Sequence, residues 1–376
     1  MPDGHPAKVL GRDSVINTLP TEPHAQEDPS PEASSDAAGR RMSRRTFARG
    51  AAPATGVSLV GGWTPPAASA ASPAPGSFGS VCTAPRLPAG FRKTFTSQHI
   101  RAGGIRQHAV IGGDGPPLVL VHGWPQNWYA WRLLMPALAR HFTVIAVDQR
   151  GVGLTEKPRD GYDSGTLARD LVALMDALGH QRFAVVGHDT GYIISYALAA
   201  DHRDRVERLV VAELPGPPGV IDSPPFFAPE PLNNRLWHIA FNGVNDELTV
   251  RMVRGNEDGF YRYEFAVQSG GRPLPAYAQD YYVRLFSRRK RALRASFGLY
   301  RAWDTTTAQN RQRKAQRLTI PVLGIGGANS WGARAGDAMK PAATSVRTLV
   351  IPGAGHWVAE QAPREMLAAL TAFLAR

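Results

Sequence analysis

Cysteine is almost absent from this chain of 376 residues: Cys82 is the single one. A lone thiol excludes an intramolecular disulfide framework and a cysteine-rich metal site. Acidic residues are also scarce, 31 against 43 lysines and arginines, for a formal net charge of +12. Such a balance raises nucleic acid or an anionic surface as partners. The arginines are spread along the chain, however, and no DNA- or RNA-binding motif accompanies them, so no nucleic-acid partner is expected. The densest basic cluster, Arg288-Arg289-Lys290-Arg291 with Arg284 and Arg294 nearby, falls in an expected helix and reads as solvated surface. No apolar run is long and unbroken enough for a stable membrane anchor. Residues 214–316 contain one histidine, no cysteine and no carboxylate cluster at ligand spacing, and nothing in the sequence implies a metal or organic cofactor.

Residues 1–41, rich in Pro, Ser, Asp and Glu, have no hydrophobic periodicity and read as a disordered extension, with Met42 as an alternative start. Ser43-Arg44-Arg45-Thr46-Phe47-Ala48-Arg49 follows, then a weakly apolar stretch from Gly50 to Trp63 and Ala68-Ser69-Ala70. The order and spacing resemble a twin-arginine signal peptide over 42–70 with its cleavage site near Ala70. The resemblance implies the twin-arginine export machinery as a partner and a secreted or periplasmic mature protein. Val81 before Cys82 does not suit lipoprotein processing. Residues 71–90 are expected to be a linker.

From Phe91 short apolar strands alternate with amphipathic helices. Ile105–Ile111, Leu118–Val121, Phe142–Val147, Phe183–Val186 and Val206–Ala212 read as strands, and Trp128–Arg140 and Leu167–Leu178 as helices. This is the rhythm of an α/β domain with a mostly parallel sheet. It covers 91–213, stops through a proline-rich, then helical and aromatic stretch at 214–316, and resumes at 317–376. There Ile320–Ile325 and Thr348–Ile351 read as strands and Pro363–Leu374 as the closing helix. The middle stretch reads as a helical cap inserted into the sheet domain.

Val185-Val186-Gly187-His188-Asp189-Thr190-Gly191 carries the most chemistry. An apolar strand enters a Gly-x-Asp-x-Gly turn and leaves as an apolar helix, the setting of a nucleophile elbow. With aspartate in the middle, the nucleophile needs no base to deprotonate it and can attack saturated carbon, forming an ester. That chemistry suits cleavage of C–O or C–halogen bonds.

Three further segments follow strands in order: His122-Gly123-Trp124-Pro125, Asp148-Gln149-Arg150-Gly151-Val152-Gly153 and Gly353-Ala354-Gly355-His356-Trp357. With the elbow they resemble the α/β-hydrolase fold, in its epoxide hydrolase and dehalogenase branch, over residues 91–376. The resemblance implies Asp189 as nucleophile and His356 as the base that activates water. It also implies the backbone N–H groups of Trp124 and Thr190 as oxyanion donors. The acid that orients His356 has two placements among relatives. One corresponds to Asn329 in Gly326-Gly327-Ala328-Asn329-Ser330; the other, directly after the strand following the elbow, is Glu213. We assign Glu213, with Asp337 as an outside candidate.

An epoxide oxygen leaves as an alkoxide and needs an O–H donor. Leu299-Tyr300-Arg301-Ala302 resembles the segment carrying one of two ring-opening tyrosines in epoxide hydrolases, which implies Tyr300. The second tyrosine is missing; Trp237 or His238 stands in the corresponding segment. Thr190 occupies the position where haloalkane dehalogenases carry tryptophan. Thr190 and Ile193 stand where fluoroacetate dehalogenases carry arginines. Trp237-His238 does resemble their halide pocket. The expectation is therefore a cofactor-independent hydrolase opening a small hydrophobic epoxide to a diol. A dehalogenase using the same aspartate is the first alternative, and a non-catalytic binding protein on this fold the second.

Overall fold

A computed structural model describes residues 77–222 and 228–375. The extension (1–41), the twin-arginine segment (42–70), the start of the linker, and Pro224 and Pro225 of the expected cap lie outside the described residues. No helix among those described is long and apolar enough to cross a membrane.

The first elements are α1 (Phe91–Thr94), β1 (Phe95–Ala102), β2 (Ile105–Gly112) and β3 (Pro117–Val121). A 3-10 turn at Trp128–Trp131, α2 (Met135–Leu138) and β4 (Thr143–Asp148) follow. Then come α3 (Ser164–Ala177), β5 (Phe183–His188), α4 (Thr190–Asp201) and β6 (Val206–Ala212). The chain next runs through α5 (Glu230–Gly243), α6 (Asp246–Val253), α7 (Glu257–Val267) and α8 (Ala276–Ser287). The helices α9 (Lys290–Ser296), α10 (Gly298–Arg301) and α11 (Trp303–Lys314) complete this insert. After the insert come β7 (Val322–Gly327), α12 (Arg334–Asp337), β8 (Val346–Ile351), α13 (Val358–Gln361) and α14 (Pro363–Leu374). The strands form one sheet in the order β1-β2-β4-β3-β5-β6-β7-β8. β2 runs antiparallel to both β1 and β4, and the remaining pairs are parallel. This is the α/β-hydrolase architecture that the strand–helix rhythm led us to expect.

β3 and β5 are buried on both faces, which is why they read as continuous apolar runs. Leu120 and Val186 face one apolar cluster, while Val119 and Val185 face another together with α3 and α4. α4 is buried from Thr190 to Ala200, so it has no polar face to present. Each fully buried Leu or Ile in it is worth about 1.5–3 kcal/mol over exposure.

Three local readings differ. β1 escapes the sequence pattern because it is an edge strand of mixed polarity, FTSQHIRA, only partly alternating. The helix expected at Trp128–Arg140 is split because Pro136 lacks an amide and starts a new helix at its first turn. The described part of the expected linker, residues 77–90, packs on the core. Val81 and Ala84 are buried, the Trp128 indole donates to the Gly79 carbonyl at 2.7 Å, and the Val81 amide donates to Ser97 Oγ at 3.0 Å. Small residues and prolines hide that docking from periodicity. Two arginines of the basic cluster region, Arg284 and Arg288, cover Phe78 at 4.5 and 5.1 Å. Such contacts contribute about 0.5–1 kcal/mol each at exposed positions.

Candidate active site

Parallel pairing of β3 with β5, in register from Leu118↔Ala184 to Val121↔Gly187, brings two strand ends side by side. Loops leaving these ends are where α/β sheets collect polar groups. Asp189 follows β5 with φ +52°, ψ −118°, as the residue before α4. A non-glycine residue so placed stores roughly 1–3 kcal/mol of strain. Close packing holds it there: a Cβ on Gly187 would lie 2.2 Å from the Gly191 carbonyl, and one on Gly123 would lie 2.5 Å from Cβ of Asp189.

The Trp124 amide donates to Oδ1 of Asp189 at 2.8 Å. Oδ2 lies 3.6 Å from Nε2 of His356. Nδ1 of His356 lies 3.2 Å from Oε2 of Glu213. Glu213, the residue after β6, is fully buried and also has positive φ, +63°. Its Oε1 accepts from the Gly327 amide at the end of β7. The His356 loop is tethered twice, by its amide to the Gln268 carbonyl at 3.0 Å and by its carbonyl to Nε2 of His188 at 2.7 Å. Strand ends β3, β5, β6 and β8 thus assemble Trp124, Asp189, Glu213 and His356. Asn329 is exposed and donates to the Gly270 carbonyl at 3.1 Å, and Asp337 pairs with Lys340 at 2.8 Å.

Burial raises the Asp189 carboxyl, while His356 and the amides of Trp124 and Thr190 favour its charge. Burial also pushes Glu213 up to about 7, against the pull of the Gly327 amide. His356 is driven down to about 4 by burial, with the Asp189 charge opposing and Arg235 assisting. At neutral pH the imidazole is a neutral base.

The helical insert supplies the facing wall. Tyr300 on α10 is buried, and its hydroxyl has no hydrogen-bond partner among the described residues. Its ring meets Trp124 edge-on at 5.5 Å and stacks on Trp303 at 6.1 Å. His238 on α5 stacks on Trp124 at 5.2 Å, 14° between planes, and meets Tyr300 edge-on at 5.6 Å. Its neighbour Trp237 packs instead among Phe241, Phe260 and Tyr263. A cavity of about 20 Å³ lined by Trp124, Val152, Thr190, Phe286, Leu299 and Tyr300 adjoins the elbow.

One polar residue of this wall escaped the sequence reading. Glu264 on α7 is buried, with Oε1 3.2 Å from Nδ1 of His238. A signal was available: Tyr261, Glu264 and Phe265 share the buried face of α7, so a glutamate interrupts an apolar stripe.

The alpha/beta hydrolase fold family matches residues 116–363. The soluble epoxide hydrolase of Corynebacterium sp. (strain C12) is 34% identical over 275 residues, 72% of this chain and 94% of that protein. The solved structure of the epoxide hydrolase CorEH without ligand superposes with a TM-score of 0.69 at 33% identity, over 75% of this chain and 99% of that one. A fluoroacetate dehalogenase from Burkholderia sp is 38% identical over 125 residues, 32% of this chain and 41% of that protein.

Proposed function

Because this chain belongs to the α/β-hydrolase family and is a hydrolase of its epoxide hydrolase branch, we propose that it converts a hydrophobic epoxide to a diol through an ester on Asp189. The observation that carries this reading is the division of labour around one carboxylate. Oδ1 is held by the Trp124 amide, Oδ2 is left to attack, and His356 with Glu213 stands 3.6 Å behind it. As Oδ2 bonds to the ring carbon, the Tyr300 hydroxyl hydrogen-bonds to the oxygen that develops charge. Water then attacks the ester carbonyl as His356 takes its proton. Oδ1 becomes the oxyanion and remains on the amides of Trp124 and Thr190. Forming the ester removes the Asp189 charge that favours protonated His356, so the base is neutral when it is needed.

The helices α5–α11 act as the cap, and the aromatic side chains they bring to the elbow favour an apolar substrate. The small cavity has room for about one water, so substrate entry requires the cap to shift. Ser43-Arg44-Arg45 and Ala68-Ser69-Ala70 support export by the twin-arginine route to a secreted or periplasmic site; N-terminal sequencing of the exported protein tests it.

A second reading is dehalogenation. The Trp124 indole N–H is buried beside the nucleophile without a partner among the described residues, and halides bind such donors. Incubation with aryl and alkyl epoxides, haloalkanes and haloacids, beside Asp189→Ala, separates the two. Diol formation lost in the variant supports the epoxide reading; halide release without diol overturns it.

A further inference from the structure

The loop that carries His356 is held from the side of the helical insert. The His356 amide donates to the Gln268 carbonyl at 3.0 Å, and the Trp357 indole donates to the Phe265 carbonyl at 3.1 Å. Nη1 of Arg272 donates in return to the Gly353 carbonyl at 3.3 Å. Residues 268–275 join α7 to α8, so this connector of the insert lies directly on the base loop. The approach is close: a Cβ on Gly355 would lie 2.2 Å from the Ser269 carbonyl oxygen. One on Gly270, at φ +58°, would lie 2.8 Å from Cα of Gly355.

A single side chain closes this contact. Gln361, the last residue of α13, is 8% exposed. Its Oε1 accepts from the Gly355 amide at 2.9 Å. Its Nε2 donates to the Ser269 carbonyl at 2.7 Å and to the Arg272 carbonyl. A carboxamide offers two N–H donors and one carbonyl acceptor, and here all are used. An apolar side chain of the same length would leave the three backbone groups unpaired, which is costly in a buried site. Hydrogen bonding, and not packing alone, therefore specifies this residue. The triad, the oxyanion donors and Tyr300 leave it unused.

We propose that Gln361 is a positioning residue for the second half-reaction: it pins the connector of the insert to the amide before His356 and so sets where the imidazole stands over the ester. The inference rests on the reading of Asp189 as the ester-forming nucleophile. In that half-reaction Nε2 of His356 takes a proton from water as the hydroxyl joins the ester carbonyl carbon. The ester C–O bond then breaks, and the freed oxygen takes that proton back. Asp189 is released as its acid and loses its proton to restore the carboxylate. With an epoxide, that proton replaces the one taken up by the ring oxygen. Both transfers require Nε2 within hydrogen-bond reach of the reacting oxygens. Glu213 fixes the rotation of the ring, while the backbone bonds of the loop fix where the ring starts. Nucleophilic attack makes no such demand. Oδ1 is held by the Trp124 amide beyond the end of β3, and Oδ2 attacks without a base. A loosened base loop therefore slows ester hydrolysis and leaves ester formation alone.

The test is rapid-quench single turnover with styrene oxide, or with chloroacetate if only halide is released, following ester on Asp189 by intact mass. Gln361→Met keeps the length and loses all three bonds. Its ester should form close to the wild-type rate and hydrolyse about 10²-fold more slowly, the loss expected for a reacting group misplaced by about 1 Å. Gln361→Glu, kept protonated between two carbonyls, retains the acceptor and one donor and should recover part of that loss. Equal slowing of ester formation and hydrolysis in a folded variant means a general structural role and overturns the proposal. Hydrolysis at the wild-type rate in Gln361→Met does the same. Should that variant fail to fold, Gln361→Glu decides by the same two rates. Either result beside a normal wild-type ester leaves the ester reading intact; a wild-type protein forming an ester from neither substrate overturns both.

Discussion

The amide of Trp124 donates to Oδ1 of Asp189 at 2.8 Å, leaving Oδ2 as the oxygen nearest His356. One carboxylate is therefore split into an oxygen held by an amide and an oxygen facing the imidazole. A single turnover in ¹⁸O-labelled water should give unlabelled diol, because its new oxygen comes from Oδ2, and should leave ¹⁸O on Asp189. Peptide mass spectrometry reads both. Label in the first-turnover diol would mean direct attack by water.

Removing the base should strand the reaction halfway. His356→Gln retains Asp189 and its amide donor, so the ester forms but its hydrolysis slows by roughly 10²–10⁴. Intact mass would show protein increased by the mass of one epoxide after a burst of one equivalent. Glu213→Gln should accumulate the same species to a lesser extent, since it loses the orienting charge and keeps the imidazole.

How far the sequence foretold this site depends on the element. The elbow was legible because its glycines and apolar flanks are local; so was Glu213, one residue past an apolar strand. Tyr300 and His238 were nameable, yet nothing local says that His238 stacks on Trp124 while Trp237 turns to Phe260. Those orientations follow from helix packing in the insert. Residues 77–90 misled for a similar reason, since their docking depends on Trp128 and Ser97, which lie far along the chain.

The two buried acids set a pH dependence of stability. Burial raises Glu213 to about 7 and Glu264 to about 8, against roughly 4.3 in an unfolded chain. The folded state therefore holds protons that the unfolded state releases. The associated stability is fully present below about pH 4 and is lost as pH rises through 7 and 8. Between pH 5 and 8 the two acids lower the thermal midpoint, opposed up to about pH 6.5 by His99, His188, His238 and His356, which burial lowers to about 3–4. Glu213→Gln, which cannot ionise, should show a smaller fall, a difference on the order of a few kcal/mol. Parallel melting curves by circular dichroism check this; equal slopes would contradict it.

Tyr300→Phe separates leaving groups. The ring contacts with Trp124 and Trp303 survive, and only the unpartnered hydroxyl is lost. Ester formation from an epoxide should slow by about 10²-fold or more, whereas hydrolysis of the ester should be unchanged. Any halide release from a haloacid should also be unchanged, because no alkoxide forms.

Two glycine-to-alanine substitutions should separate catalysis from folding. At Gly191 the added Cβ would lie 2.2 Å from the Val121 carbonyl. That atom belongs to a central strand and cannot yield, so Gly191→Ala should lower the thermal midpoint markedly or prevent folding. At Gly123 the new Cβ would lie 2.5 Å from Cβ of Asp189, a side-chain atom outside the strands. The fold should survive there while the Trp124 amide is pushed away from Oδ1. Loss of one oxyanion donor costs about 10²–10³ in rate, so ester hydrolysis in Gly123→Ala should slow by that factor with a melting curve close to wild type. Wild-type turnover in a folded Gly123→Ala protein would show that the Trp124 amide does not serve the reaction.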